Sequence, residues 1–495
     1  MTHAHVEIRS AYADSVALLQ VSRQVAAVPG VQAAQVAMGT PLNLEVLAGM
    51  GFDVPACSPN DMVVALRLDS EDGLPAALAA VTAALSPAAT RGGDVLVDEP
   101  RTTRSALRRS GAALALVSVP GQYAAVEAMD ALDADRDVMV FSDNVPLAQE
   151  VTLKRLATER HLLVMGPDCG TALVGGVGLG FANVVEPGEV GIVAASGTGC
   201  QQVMCLLAAA GVGVGAALGV GGRDLSAAVG GLSTREALRR LDADPAIGRI
   251  VLVSKPPAPA VADELEALTA TLATPVDLAL LGRGRPDLTA AVEAVLDALG
   301  RPVPAWPEWG AAPAGAATGY LRGLFVGGSL CDEAMLLAAD RLGPVRSNIP
   351  LDEGLRIDPF SGLAGLQEHA MVDFGDDEMT RGRAHPMIDP TLRLEHLARA
   401  ALDDATGVLL LDVVLGHGAE PDPAAALGPA ITAAVATAAE RGRVLPVVVA
   451  CVGTEGDPQG LTRQARVLAE AGAEVHLSNA RAARRAVELV AGAAR

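Results

Sequence analysis

The stretch GEVGIVAASGTGCQQ, residues 188–202, decides how this chain is read. Apolar residues lead into a turn of small residues, Ser196-Gly197-Thr198-Gly199, and an apolar, helix-compatible run follows from Cys200 towards Ala210. The hydrophobic period changes from strand-like to helix-like across the turn, which marks a strand–turn–helix unit. Such a turn leaves free backbone N–H groups at a helix N-terminus, where the helix dipole also favours negative charge. Two readings stand at this point: an anion site, or a glycine-rich turn needed only for packing.

Working outward, the same alternation continues. Strands VGIVAA, GAALGVGG, RIVLVS and VDLALLG alternate with helical runs, so 186–300 reads as a flavodoxin-like domain on a parallel sheet. Upstream, 100–185 reads as a Rossmann-like domain, with strands ALALVSV, VMVFS and HLLVMG, closed by GPDCGTALVGGVGLGFAN. Residues 1–90 form a small ferredoxin-like α/β module, in which HVEIRS, VQAAQVAMG and DMVVALRLD are strands, followed by a loop and linker over 86–100. Downstream, 301–319 is rich in Pro, Ala and Gly and reads as an inter-domain linker. The block 320–495 is a second flavodoxin-like domain, with strands in LRGLFVGGSL, AMVDFGDD, VLLLDVVLG, LPVVVACVG and AEVHLS.

Composition narrows the function classes. The 495 residues carry a net charge of −21, with 51% hydrophobic and 2% aromatic residues. So acidic a surface repels phosphate backbones, which excludes nucleic acid as a partner, and an anionic substrate must be held by a few local cations and helix N-termini. Six cysteines contain no C-x-x-C pair, against a disulfide framework or structural zinc. No signal-peptide core and no run of about 20 apolar residues occurs, so a cytoplasmic, soluble protein without membrane contact is expected.

A second turn of the opening kind ends the strand VLLLDVV, at Gly416-His417-Gly418-Ala419. Two such turns invite a shared anion site between facing helix N-termini. His417 reads either as a phosphate-binding or general acid–base group or as a surface histidine. Lys255 follows the strand RIVLVS directly, where open α/β sheets bind ligands, and Lys154 is the only other lysine. Lys255 is therefore a candidate anion-binding and catalytic residue. Gly222 and Arg223, in GVGGRDL, form either a ligand-facing loop or a structural ion pair. In VDFGDDEMTRGRAHPMIDP, Arg381, Arg383 and His385 are candidates for a substrate carboxylate or phosphate. The carboxylates there match no closed metal-site spacing, and no metal is expected. Cys200 reads as a core thiol.

GPDCGTALVGG at 166–176, EPGEVGIVAASGTG at 186–199 and GVGGRDL at 219–225 resemble successive motifs of the succinyl-CoA synthetase α subunit. VDFGDDEMTRGRAHPMIDP and LLDVVLGHGAEPDPAAA resemble the carboxy-terminal domain of its β subunit. With GTPLN at 39–43, SVPGQYA at 118–124 and SNIPLDE at 347–353, nearly the whole chain is similar to the FdrA family of fused synthetase-like proteins. That resemblance implies a CoA-binding-type Rossmann domain followed by synthetase α-type and β-carboxy-terminal-type domains. It also implies that the turns at Ser196–Gly199 and Gly416–Ala419 point at a phosphoryl group.

The departures from the synthetases are equally informative. Their phosphohistidine loop falls on 276–292, which holds no histidine, and the glutamate that partners it aligns near Lys255. The glycine loop that grips CoA and an ATP-grasp domain are absent, so no CoA or ATP is expected to be required in this chain. The resemblance then implies a carbamoyltransferase component of ureide (allantoin) catabolism. It would use carbamoyl phosphate and a small carboxylate such as oxamate, with companion subunits or as a homo-oligomer. The alternatives are a subunit of an NDP-forming acyl-CoA ligase, which would use CoA and ATP, or a non-catalytic scaffold.

Overall fold

The computed structural model describes residues 3–11, 13, 15–85, 100–311, 318–360, 363, 365–381 and 383–493. The linker expected at 86–100 lies outside the described residues except for Pro100, as do residues 312–317 of the second linker. The chain divides into two units, Met1–Arg101 with Gly382–Ala384, and Thr102–Arg381 with His385–Arg495.

In the first unit, strand Met62–Leu68 lies between His3–Arg9 and Val31–Met38, antiparallel to both. The run MVVALRL is apolar except for Arg67 because both faces of this central strand are covered. Val64, Leu66 and Leu68 pack with Leu18, Val21 and Val25 of helix Ser15–Ala26 and with Ala77 and Val81 of helix Leu74–Leu85. Val63 and Ala65 point the other way, onto Leu47 and Phe52 at helix Pro41–Gly49. Period-two alternation thus distributes one strand between two small cores. The described strand order agrees with the ferredoxin-like expectation.

The second unit holds three sheets. Leu114–Val117, Asp137–Val140 and Val164–Met165 form a parallel Rossmann-like sheet. The next sheet has the order Val276–Leu280, Arg249–Ser254, Val190–Ala195, Val214–Gly219, and these four strands are parallel. It is extended by a hairpin, Thr171–Val174 and Val177–Gly180, that pairs antiparallel with Val214–Gly219. This corrects the sequence reading, which closed the Rossmann-like domain with that stretch. Gly175 and Gly176 both have positive φ, 59° and 78°, the requirement of a two-residue hairpin turn.

The last sheet runs Glu308–Trp309, Ala473–His476, Val447–Val452, Thr406–Val414, Tyr320–Phe325, His369–Asp373, Val345–Ser347, all parallel except the first. Two of its edge strands escape the sequence reading. Val345–Ser347 is too short to show a period, and Glu308–Trp309 lies inside the expected linker, beside the buried Trp306 whose indole Nε1–H donates to Glu293 at 2.7 Å.

The order of strands fixes where a ligand can sit. In the six-stranded sheet the connections depart in opposite directions from Val190–Ala195 and Arg249–Ser254, so the crevice opens beyond their carboxyl ends. Ser254 is in register with Ala195, which puts Ser196 and Lys255 side by side at that crevice. In the seven-stranded sheet the switch falls between Tyr320–Phe325 and Thr406–Val414. One continuous core, including Val203, Leu206 and Leu207 with Leu330, Ala334 and Met335, joins the two sheets and sets their crevices in a fixed relation. Among the described residues no helix is long and apolar enough to cross a membrane.

Candidate active site

Ser196 caps helix Gly197–Ala209, its Oγ accepting from the Gly199 amide at 3.0 Å. The same hydroxyl donates to Ser329 Oγ at 2.6 Å. Ser329 lies in the first turn of helix Gly328–Leu342, so two helix N-termini meet head to head across the crevice. The approach is close: a Cβ on Gly327 would stand 2.9 Å from Thr198 Oγ1. Each N-terminus carries roughly half a positive charge, and two facing one another repel unless negative charge lies between or behind them. Asp412 supplies some of it from behind, accepting from the amides of Val326 and Gly327 at 2.7 and 2.9 Å while paired with buried Arg393 at 3.2 Å.

Lys255 completes the meeting point. A Cβ on Gly328 would stand 3.0 Å from its Nζ and 2.7 Å from Asp373 Oδ2. Among the described residues the Lys255 ammonium makes no hydrogen bond or close ion pair. Burial lowers its pKa, but the carboxylates of Asp332, Asp373, Asp168 and Asp376 outweigh this and hold it above the ordinary lysine value. Those carboxylates outnumber the cation. Burial pushes Asp373 up to about 7 and Asp332 up to about 6, with Lys255 pulling each down. Crowding by protein, then Asp377, pushes Asp168 up to about 7 although its side chain stays open to solvent. Substituting Gly328→Ala should displace Lys255 and weaken anion binding while the helix still forms, a result read by ligand titration alongside circular dichroism.

Asp143 and the short helix Asp377–Thr380 form the remaining wall, joined by Thr380 Oγ1 donating to Asp143 Oδ2 at 3.3 Å. His385 stands beside Gly375, and its ring packs on Phe181 with centroids 5.4 Å apart. Its Nδ1 accepts from the Met387 amide at 3.2 Å, which leaves the proton on Nε2. Burial pushes its pKa down to about 4, so His385 is a neutral donor here and not a cation.

Ser196, Gly197, Thr198, Gly199 and Lys255 are thus brought together, with His385 near Asp373. Gly222 faces Asp168 Oδ2 at 3.7 Å, measured from where its Cβ would be. Three expectations are corrected. Arg223 is committed to structure, donating to Glu150 at 3.0 Å and to the Val145 carbonyl at 2.8 Å. Gly416, His417 and Gly418 do not face Ser196–Thr198: His417 bridges Ala182 through backbone bonds of 2.8 and 3.3 Å, with its side chain exposed. A Cβ on Gly416 would lie 2.6 Å from the Ala182 carbonyl, so this turn needs glycine for close packing. The turn that does face Ser196 is Gly327-Gly328-Ser329. Arg381 is exposed at the end of helix Asp377–Thr380, and Arg383 falls in the first unit. Cys200 is buried in the core, where burial pushes its thiol pKa up.

Sequence reasoning missed Gly327–Ser329, Asp332 and Asp168. The first had a signal, since VGGS after an apolar strand repeats the pattern of the opening stretch. The carboxylates had none, because their placement depends on which strands are neighbours.

Paired crevices of this kind define a CoA-ligase-type fold, and residues 324–489 match the family described as CoA-ligase. Residues 1–99 match the family described as AllF, heavy metal-associated domain. YahF of Escherichia coli (strain K12) is 37% identical over 490 residues, 93% of each chain. The chain belongs to the FdrA family of fused, succinyl-CoA synthetase-like proteins. The α subunit of ADP-forming succinate–CoA ligase from Staphylococcus aureus (strain Mu50 / ATCC 700699) is 26% identical over 192 residues, 38% of this chain and 62% of that subunit. Among solved structures, the dinucleotide-forming acetyl-coenzyme A synthetase 1 of Ca. Korarchaeum cryptofilum, in complex with phosphate and ADP, is 15% identical with a TM-score of 0.29, covering 92% of this chain and 94% of that one.

Among the described residues, the first unit does not fit a heavy-metal site. Its described residues offer one thiol, Cys57, whose pKa burial and then Asp61 push up. Among the described residues no three His, Cys, Asp or Glu side chains converge. A lone protonated thiol does not fit a soft metal ion, which takes paired thiolates.

Proposed function

We propose that the crevice transfers the carbamoyl group of carbamoyl phosphate to a small amide-bearing carboxylate such as oxamate, in concert with companion chains and without CoA or ATP. One observation carries this reading: the unpaired Lys255 ammonium stands where two helix N-termini meet, ringed by carboxylates. A phosphoryl group suits the amides of Gly197–Gly199 and Gly328–Ser329 together with Lys255. A carbamoyl NH2 suits the carboxylate acceptors, which a plain phosphate would not use. Transfer from an acyl phosphate needs mainly positioning and charge stabilisation, and fixed amides and a lysine supply both.

The carboxylates give this reading a pH signature. Asp168 and Asp373 both have pKa values raised to about 7, so both exchange protons near neutral pH. An arriving dianion raises their proton affinity, so binding is coupled to proton uptake and weakens as pH rises above about 7. Calorimetry in buffers of different ionisation enthalpy should show that uptake, and proton release on binding would contradict it.

The second reading, a subunit of an acyl-CoA ligase, is favoured by the CoA-ligase match over 324–489. Titration separates the two. Saturable heat with carbamoyl phosphate and none with CoA or ATP supports the transferase. The reverse pattern supports the ligase.

A further inference from the structure

Most acidic side chains in and behind the crevice are already bonded. Asp224 accepts from Lys154 and from the Ser233 and Thr234 amides. Asp412 accepts from two amides and Arg393, Asp373 accepts from the Gly375 amide at 2.9 Å, and Asp376 accepts from the Glu378 amide at 3.3 Å. Asp332 is buried beside Lys255, with Asp373 also within electrostatic reach. Asp168 differs from all of these. Its side chain is open to solvent, and among the described residues no donor reaches its carboxylate.

Its backbone, by contrast, is held firmly. The Asp168 amide donates to the Ser142 carbonyl at 3.0 Å, and the next amide, of Cys169, donates to Val140 at 3.1 Å. The Cys169 thiol donates to the Gly219 carbonyl at 3.2 Å. Asp168 sits at φ 55°, a left-handed conformation that projects its side chain from this anchored turn. The charged groups that act on it are Asp377, Lys255, Asp143 and Arg223. A rigidly presented carboxylate left unbonded and accessible, within electrostatic reach of the proposed phosphoryl-binding lysine, is placed to receive a proton from a substrate.

We propose that Asp168 is the catalytic base that takes the proton from the acceptor's amide nitrogen during carbamoyl transfer. This inference rests on the carbamoyl-phosphate reading of the crevice. The nitrogen lone pair forms the new bond to the carbamoyl carbon. The bond from that carbon to the phosphate oxygen breaks, and its electron pair leaves with the phosphate. The nitrogen's proton passes to Asp168 and from there to the departing phosphate, which restores the carboxylate. The acceptor class is a neutral amide attached to a carboxylate, whose nitrogen becomes acidic enough for a base of this strength only as the new bond to the carbamoyl carbon forms. A base with a pKa close to the working pH is the efficient one, and Asp168 meets that condition at about 7.

The test uses the full chain with its companion chains, carbamoyl phosphate and oxamate, and compares the wild type with Asp168→Asn and Asp168→Glu. In the wild type kcat at saturating carbamoyl phosphate should rise with pH through a midpoint at or above about 7, because the bound dianion raises the proton affinity of Asp168. Asp168→Asn should lower kcat by about 10²–10⁴-fold and flatten that rise, while carbamoyl phosphate binds as well or better because a negative charge is gone. Asp168→Glu should restore part of the turnover and of the pH dependence. A kcat for Asp168→Asn close to wild type, or an unchanged pH profile, overturns the inference and leaves the binding reading standing. Binding without transfer to any amide acceptor overturns it also. Should Asp168→Asn lose binding, Asp168→Glu decides, and binding without turnover in that variant counts against a base. Failure of the wild type to bind carbamoyl phosphate overturns both readings together.

Discussion

Lys154→Ala is expected to lower the stability of the second unit by about 3–5 kcal/mol, the range for leaving a buried charge pair half broken. Lys154 is fully buried, and its ammonium reaches Glu150 at 2.8 Å, Asp224 at 2.7 Å and the Val220 carbonyl at 2.9 Å. These bonds tie helix Leu147–Glu159 of the Rossmann-like sheet to the loop after Val214–Gly219. Without the lysine, among the described residues Glu150 keeps only Arg223, and Asp224 keeps the Ser233 and Thr234 donors but no cation. Urea unfolding followed by circular dichroism should show a lower midpoint, and an unchanged midpoint would refute this account of the network.

The other lysine should behave in the opposite way. Lys255→Ala removes a side chain with no bonded partner among the described residues, so unfolding should shift little. It also removes a cation from among Asp332, Asp373, Asp168 and Asp376, which raises their proton affinity and favours their neutral forms. Carbamoyl phosphate binding, however, should weaken by about 10- to 100-fold, because a hydrogen bond to a charged group contributes about 1.5–3 kcal/mol. Calorimetry checks this directly. Equal affinity in the variant would remove Lys255 from the mechanism. The contrast between the two lysines separates a structural role from a ligand-binding one with the same substitution.

The carboxylates around Lys255 carry a cost in stability that has a definite sign. Asp373 and Asp332 have raised values in the folded chain, so the fold binds more protons than the unfolded chain. Stability therefore falls as pH rises from the ordinary carboxylate range to about 7. A bound anion that promotes protonation would offset that loss.

Much of this architecture was legible because α/β domains announce themselves locally. Period and turn residues gave the strand–helix order on both sides of 301–319, and the carboxyl-end position of Lys255 followed from its place after RIVLVS. What failed depended on distant pairing. Gly416–Gly418 has the same local signature as Gly327–Ser329, and only the strand order shows that the former packs on Ala182 while the latter meets Ser196. The hairpin at Gly175-Gly176 was legible as a turn, but not the sheet it would join. Arg223 could not be assigned from sequence because its partner Glu150 lies on a helix of another sheet. Asp168 was visible only as a letter within GPDCG, since its openness depends on the surrounding walls.

The central claim is that carbamoyl phosphate is held where the two helix N-termini meet, and a crystal structure of the chain with that ligand tests it most directly. The account predicts the phosphoryl group within hydrogen-bond distance of the amides of Gly197–Gly199 and Gly328–Ser329 and of Lys255 Nζ, with the carbamoyl nitrogen towards the carboxylates. Density for the phosphoryl group at the Gly416–Gly418 turn, or CoA occupying the crevice in its place, would contradict it.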